Sequence, residues 1–528
     1  MPGQREGPPN EQAREERDSA TRAGAQASVF HQGGDYDLLP YVSVPYHPTQ
    51  PTHLAAIAKL FGIETPDAAF ARVLELGCAS GGNIIPLAAR FPDAYFVGID
   101  LSERQVADGK ARIAALGLTN IEIRQGNIET VEFLSERFDY VICHGVYSWV
   151  SPETQDAVFR ILDETLSGNG VAYVSYNTYP GWRLRTVVRD ICLRHAGSAD
   201  TPEARVASAR WIMDQLSRLS STTSPYGQLL REEAEFNARQ PDSYILGEFL
   251  ATHNAPCYFH EFAARANRHG LNFLCEADFV SSIPETLDKN AAERARQIAD
   301  GDGIALEQYM DFFTGREFRQ SLLVRSGSIK TRRIRPEHIE DLHFSTHWRR
   351  EEKTNTDGEA VFTANGRALA VSDSLSIALL DTLQNTFPGT YTLNEIVERI
   401  TPPGRQARPH TLVEAREALF KLIAGGQIEV SAAPLRVGRA SDHKPTVWPV
   451  ARSEAISGQP WLSSLRHMPV NLDKGLAAIA HLLDGRNDRQ ALAQLVHEGI
   501  RTGNIPIEGA DLSKQTGAEN HPLSFRCH

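Results

Sequence analysis

The chain has 528 residues, more than a single hydrophobic core organises, so two to four domains are expected. With 41% hydrophobic and 23% charged residues it is neither fibrous nor wholly disordered, and no signal peptide or membrane-length apolar run stands out. A cytoplasmic protein without membrane insertion is predicted. A formal net charge of −12 argues against nucleic acid or another polyphosphate as the main partner.

Residues 1–28 are rich in Pro, Gln, Arg, Glu and Ala and bury too little to offset ordering, so a disordered tail is expected. From Tyr36 the character changes. Tyr36, Tyr41, Tyr46 and His47 are interleaved with Pro40, Pro45, Pro48 and Pro51, a density that forbids a regular helix. This rigid segment is either an aromatic lid over a ligand mouth or an arm packed on the outside of the domain. A helix over 52–61 follows.

The stretch from Arg72 to Asn83 reads as a buried central strand closed by Glu75, a Gly-rich turn, and a helix opening at Asn83. The glycines let the backbone turn tightly beside a ligand, and the first N–H groups of the helix face the same spot. A second strand, Tyr95–Ile99, ends at Asp100, an acid suited to a ribose diol. The loop lacks the G-x-G-x-x-G spacing of a dinucleotide site. Glu75 just before it would repel phosphate and attract a cation.

Ser102 is a good N-cap for a helix over 103–116, and Gly117 a good C-cap. Further strands are predicted at Ile121–Gln125, Phe138–Cys143 and Val171–Tyr176, with a helix over 152–166. Five strands alternating with helical stretches have the βαβ rhythm of an α/β, doubly wound sheet. Downstream, a helix at 260–269 and strands at 271–276 and 319–325 would complete a seven-stranded sheet. Residues 198–255 and about 287–317 would then be helical insertions; an independent helical domain over 198–300 is the alternative.

Residues 331–359 read as a solvated linker opened by Lys330, Arg332, Arg333 and Arg335. Three amphipathic helices (374–385, 392–400, 411–425) and a strand entered through Gly425-Gly426 predict a winged-helix-like α+β domain over 360–440. Residues 360–432 carry six Lys and Arg against seven Asp and Glu, so no basic recognition face forms and protein interaction is favoured over DNA. A small helical unit over 441–510 and a loose tail over 511–528 complete the chain. The six cysteines (Cys78, Cys143, Cys192, Cys257, Cys275, Cys527) form no CxxC pair, which predicts a reducing compartment and no metal site.

Glu75-Leu76-Gly77-Cys78-Ala79-Ser80-Gly81 resembles the first motif, E/D-x-G-x-G-x-G, of class I S-adenosylmethionine-dependent methyltransferases, with Ala79 at the middle glycine. Tyr41-Val42-Ser43 with Pro45-Tyr46, Gly81-Gly82-Asn83, His144-Gly145-Val146-Tyr147-Ser148-Trp149 and Tyr173-Val174-Ser175-Tyr176-Asn177 narrow the resemblance. Together they are similar to a bacterial family with a methyltransferase regulatory domain, which includes the rickettsial protein lysine methyltransferases. The likeness is strongest over 35–195; Pro225–Phe279 resembles the regulatory region and 360–500 the C-terminal domains.

The resemblance implies a Rossmann-like core over 29–197, a helical regulatory region with the last sheet strands over 198–330, and S-adenosyl-L-methionine as cofactor. It implies cofactor contacts from Glu75, Gly77, Cys78, Gly81, Asn83, Asp100, Leu101, Asn127 and His144. Leu101 would lie on the adenine, and Asn127 stands where the family has an acid at the adenine amino group. It also suggests a homodimer through the helical insertion and a protein substrate.

Methyl transfer from a sulfonium is an in-line displacement that needs alignment rather than a metal. The loops after strands four and five carry His144, Tyr147, Trp149, Tyr176 and Tyr179 as catalytic candidates. Aromatic faces hold an ammonium with roughly 0.5–2 kcal/mol, and a histidine of ordinary pKa, about 6.5, accepts a proton near neutrality. The alternative for each aromatic is packing at a core edge, and for His144 a hydrogen bond to backbone or cofactor. Three functions follow in order: a protein lysine methyltransferase, a small-molecule methyltransferase closed by the helical insert, and a non-catalytic adaptor keeping the fold. The polar-Pro-Pro pattern of base-amine enzymes is absent after strand four, so nucleic acid is not the expected acceptor.

Overall fold

A computed structural model of the chain describes residues 43–506, apart from 134, 198, 331–332, 355–357, 403–408 and 439–440. The expected tails, 1–28 and 511–528, lie outside the described residues, as do Tyr36 and Tyr41. From Ser43 the chain runs extended into a single 3-10 turn, His47–Thr49, and then α1, Pro51–Leu60. Strands β1 (Arg72–Leu76), β2 (Tyr95–Asp100), β3 (Ile121–Gln125), β4 (Phe138–Cys143) and β5 (Leu166–Asn177) are interleaved with α2 (Ile84–Arg90), α3 (Glu103–Leu116) and α4 (Pro152–Thr165). Ser102 caps α3 through the Gln105 N–H, and Gly117 closes it in the left-handed region at φ 65°.

Next comes a run of helices: α5 (Trp182–Ala196), α6 (Pro202–Leu219), α7 (Pro225–Ala238) and α8 (Asp242–Phe249). The chain then returns to the sheet. Helix α9 (Phe259–Arg268) leads into β6 (Leu271–Glu276), α10 (Lys289–Ala299) and α11 (Gly303–Thr314) into β7 (Phe318–Arg325). The seven strands are ordered β3-β2-β1-β4-β5-β7-β6, and only β7 runs antiparallel to its neighbours. Both helical stretches are therefore insertions in one sheet domain, although α5–α8 enclose a core of their own around Val188, Cys192, Val206, Leu230, Ile245 and Phe249.

Side chains alternate across the sheet, and parallel partners share a face. One face carries Val73, Phe96, Ile123, Tyr140, Ile142 and Tyr173 in the largest core, which continues through α1 to Phe344, Phe362 and Leu379 of the C-terminal region. The other carries Leu74, Val97, Ile99, Val141, Val174 and Tyr176, packed on Phe159 and Phe262.

The segment expected as a linker is structured at its centre and end. It supplies β8 (His343–Ser345) and β9 (Arg349–Thr354), followed by β10 (Ala360–Ala364) and β11 (Arg367–Val371). Strand β8 is the centre of a small sheet with β12 (Tyr391–Thr392) and β13 (Glu429–Ser431), packed on α12 (Ser374–Thr386), α13 (Leu393–Ile400) and α14 (Pro409–Ala424). Three residues are too few to show a period of two, which is why β8 escapes a sequence reading. The last unit is likewise more than helices. Between α15 (Pro449–Ile456), α16 (Lys474–Ala480) and α17 (Arg489–Arg501) it holds an antiparallel hairpin, β14 (Trp461–Ser463) and β15 (Pro469–Asn471).

The insertion between β6 and β7 is tied to the sheet by one buried cation. Arg319 on β7 donates to Glu276 on β6 at 2.7 Å and to Asp311 and Glu307 on α11 at 2.8 and 3.1 Å, with its guanidinium 3.9 Å from the Phe259 ring. All these groups are buried, and removing one partner of such a network strands the rest without compensation. Arg319→Met is expected to lose about 3–5 kcal/mol of stability, read as a lower urea midpoint with an unchanged slope.

Candidate active site

The polar residues at the sheet's C-terminal edge fall on one face. Glu75 is paired in register with Gly98, which places Asp100, two residues on, on the same side. Ser175 and Asn177 follow Tyr173 on that side of β5, and His144, just past β4, reaches them: its Nδ1 lies 3.1 Å from both the Tyr173 and Ser175 hydroxyls. A row of polar tips thus crosses β2, β1, β4 and β5 above the first core.

The loop between β1 and α2 is shaped by left-handed backbone. Gly77 stands at φ 71°, where a Cβ would meet Val146 Cγ2 at 2.3 Å, so only glycine fits. Ala79 also adopts φ 48°, a strain of about 1–2 kcal/mol for a residue with a Cβ. Its N–H donates to Asp100 Oδ2 at 2.7 Å, which compensates. The alanine at the motif's middle position therefore keeps the turn a glycine would give. The N–H groups of Gly77 and Cys78 both reach the Ile99 carbonyl, at 2.8 and 3.0 Å. The Cys78 side chain points down into the core over Gly98, so only its backbone faces the loop mouth.

Glu75 is 3% exposed. Its Oε1 accepts from Asn83 Nδ2 at 2.8 Å, while Oε2 is buried with no partner among the described residues. Burial pushes its carboxyl from about 4.5 up to about 8, opposed by the Asn83 hydrogen bond and helped by the Asp100 charge. A buried acid with one unsatisfied oxygen over a glycine turn is complementary to a cation that donates a hydrogen bond. The ammonium at the amino-acid end of S-adenosylmethionine is such a group, so the residues present fit this cofactor. Asp100, expected at the ribose end, accepts the N–H groups of Ala79 and Ser102, and Leu101 beside it is 40% exposed. Asn127 Oδ1 takes the Glu129 N–H at 2.9 Å, so that oxygen already holds the turn after β3.

The arm before α1 covers the loop. Ser43 Oγ accepts the Gly82 N–H at 2.8 Å, and the Tyr46 ring stacks on His144 with centroids 4.2 Å apart. Of the two arrangements the sequence left open for this segment, Tyr46 takes the one against the site. Burial pulls His144 down to about 4, so the imidazole is neutral at pH 7 and a weak base.

The other catalytic candidates separate. Tyr147 and Tyr176 lie on the opposite face of the sheet, fully buried, with their rings against Phe262 at 5.4 and 4.0 Å. They pack the second core rather than joining His144. Trp149 and Tyr179 are half-buried in the loops beyond: Trp149 meets Trp182 edge-on at 6.0 Å, and Tyr179 lies between Tyr258 at 5.4 Å and the Arg183 guanidinium at 4.1 Å. Sequence reasoning did not single out Ser175, or Asn177, whose buried Nδ2 has no partner among the described residues. The period of two from Tyr173 along β5 was the available signal. Nor did it single out His467, whose Nε2 lies 2.7 Å from Asn83 Oδ1, and nothing near residue 467 signals it. Among the described residues no group of three metal-ligating side chains occurs, and no helix is long and apolar enough to cross a membrane.

Because the Glu75 carboxyl is raised, its contribution to stability is full below about pH 4.5 and lost as the pH rises through about 8. A bound cation reverses that preference. At pH 7, titration calorimetry in buffers of different ionisation enthalpy is expected to show about one proton released per S-adenosylmethionine bound, and none with Glu75→Gln. In the same titration Asp100→Ala is expected to bind at least about tenfold more weakly with the fold intact.

Comparison with known proteins agrees with this geometry. A methyltransferase domain model matches residues 73–170, the "predicted methyltransferase regulatory domain" matches 241–325, and the "PKMT, C-terminal winged helix domain" matches 443–521. The winged helix match thus falls on the unit expected to be only helical, one module later than 360–440. The uncharacterized protein RP789 of Rickettsia prowazekii is 30% identical over 483 residues, 89% of this chain and 87% of that protein. A second protein of that organism, RP028, is 35% identical over 240 residues, 45% of this chain and 96% of its own length. The solved structure of PKMT2 from Rickettsia typhi superposes with a TM-score of 0.79 at 27% identity, covering 90% of this chain and 95% of that one. The same enzyme in complex with AdoHcy gives 0.77, covering 88% and 92%. The chain belongs to the class I S-adenosylmethionine-dependent methyltransferases that carry a methyltransferase regulatory domain, in one family with these rickettsial proteins.

Proposed function

We propose that this methyltransferase modifies lysine side chains of a protein. The observation that carries this is the extent of the likeness to PKMT2, 95% of that chain, which takes in the helical insertions and C-terminal modules as well as the cofactor fold. Accessory structure on this scale suits a polypeptide acceptor better than a small molecule. At the rim beyond β4 and β5, half-buried Trp149, Tyr179 and Tyr258 offer ring faces to an ammonium, worth roughly 0.5–2 kcal/mol. His144 at about 4 is too weak a base to take a proton from a lysine of reference pKa about 10.4. Burial against these rings favours the neutral amine, which then arrives deprotonated. His144, Ser175 and Asn177 supply orientation.

Two further expectations attach to this reading. The protein acts in the cytoplasm, and two copies associate through the helical insertion, where Leu184, Trp211, Leu219 and Tyr226 are exposed apolar side chains. Light scattering on a sizing column is expected to give twice the monomer mass, and a monomer at micromolar concentration would refute the pairing. Incubation with methyl-labelled S-adenosylmethionine and a lysate of the host is expected to place label on polypeptide, released by acid hydrolysis as methyl-lysine. Label in the small-molecule fraction, or binding without transfer, would rule out a protein acceptor.

A further inference from the structure

The hairpin of the C-terminal unit closes on the cofactor loop. Its turn, between β14 and β15, is held by the Ser464 N–H on the Met468 carbonyl and the His467 N–H on the Ser464 carbonyl, each at 2.9 Å. The turn is docked, not free. The Arg466 carbonyl lies 2.8 Å from His47 Nδ1 and accepts from Gln50 Nε2 at 3.2 Å, while the Leu465 carbonyl accepts from Arg90 at 3.3 Å. His467 itself stands at φ 59°, in the left-handed region, and is 3% exposed. That conformation is strained for a residue with a Cβ, and its side chain makes a polar contact from it. Nε2 lies 2.7 Å from Asn83 Oδ1.

That oxygen already accepts the Tyr46 N–H at 3.0 Å and lies 3.1 Å from the Thr49 hydroxyl, which also reaches the Tyr46 carbonyl at 2.7 Å. The backbone N–H of Tyr46 can only donate, so the Asn83 oxygen faces it; the flipped form would set two donors together. The nitrogen must then face Glu75, where it donates to Oε1 and leaves Oε2 for the ligand. His467 must carry its hydrogen on Nε2, and burial keeps the ring neutral.

We propose that His467, carried by the C-terminal winged helix domain, is a positioning residue for S-adenosylmethionine binding: it locks the Asn83 amide and thereby aims the Glu75 carboxylate at the cofactor. This rests on the methyltransferase reading of the site and adds to it a long-range partner from another domain. The accessory unit then completes the cofactor site rather than only recognising the acceptor.

Full-length protein titrated calorimetrically with S-adenosylmethionine tests this. His467→Ala is expected to weaken binding by about tenfold, and His467→Gln, which keeps a donor, to stay within about threefold of the parent. In an Asn83→Ala background the same His467→Ala change is expected to have no further effect. Should His467→Ala not fold, His467→Leu, which fills the space without a donor, takes its place with the same expectations. A lowered melting temperature with unchanged affinity marks His467 as merely structural and overturns the proposal. So do equal losses in both backgrounds. Failure of the parent protein to bind sinks the site assignment as well, so the two failures are distinguishable.

Discussion

A single side-chain amide, that of Asn83, joins four segments of the chain at the cofactor loop. Its oxygen gathers donors from Tyr46, Thr49 and His467, and its nitrogen is given to Glu75. Everything that makes the site selective depends on which way that amide points. With the oxygen outward and the nitrogen toward β1, the amide donates to Glu75 Oε1 and favours its ionised form, leaving Oε2 for a cation. Reversed, the amide would set two acceptors face to face and remove the hydrogen bond that opposes the rise of the Glu75 carboxyl. The neighbouring strain at Ala79, offset by Asp100, belongs to the same arrangement, with backbone N–H groups spent on acids so that the acids keep fixed directions.

The sheet was largely legible because its signal is periodic and local. Val73, Leu74 and Leu76 form a short apolar run that ends in glycines; the predicted ends of β3, β4 and β6 coincide with the observed ones, and β1 runs one residue past Glu75. The last two strands were also found, although helices intervene. The three helices of the 360–440 unit fall within two residues of their predicted bounds because their apolar stripes are unbroken. What failed was short structure. Strand β8 has three residues and the β14–β15 hairpin has three on each side, and segments of that length are fixed by their neighbours rather than by their own pattern.

The site divides along the same line. Glu75, Asp100 and the glycines could be named because they lie within one local motif. The aromatics after β4 and β5 could be placed near the sheet edge, but not assigned a face. Tyr176 and Ser175 are adjacent in sequence and end on opposite sides, and only the register of β5 against β7 decides which is which. His144 was chosen for a proton-accepting role on its ordinary pKa; burial against Tyr46 and Tyr173, which a sequence cannot display, removes that basicity. His467 was out of reach for a different reason: its partner is 384 residues away.

That separation has a consequence for synthesis. A ribosome adding about 5–20 residues per second takes tens of seconds to travel from Asn83 to the residue that seals its amide. Through that interval the β1–β5 half of the sheet can be translated and paired, yet its ligand loop lacks one of its walls. A nascent or truncated chain would therefore hold the amino-acid end of its cofactor loosely, and methyl-donor capture becomes a property of the finished polypeptide.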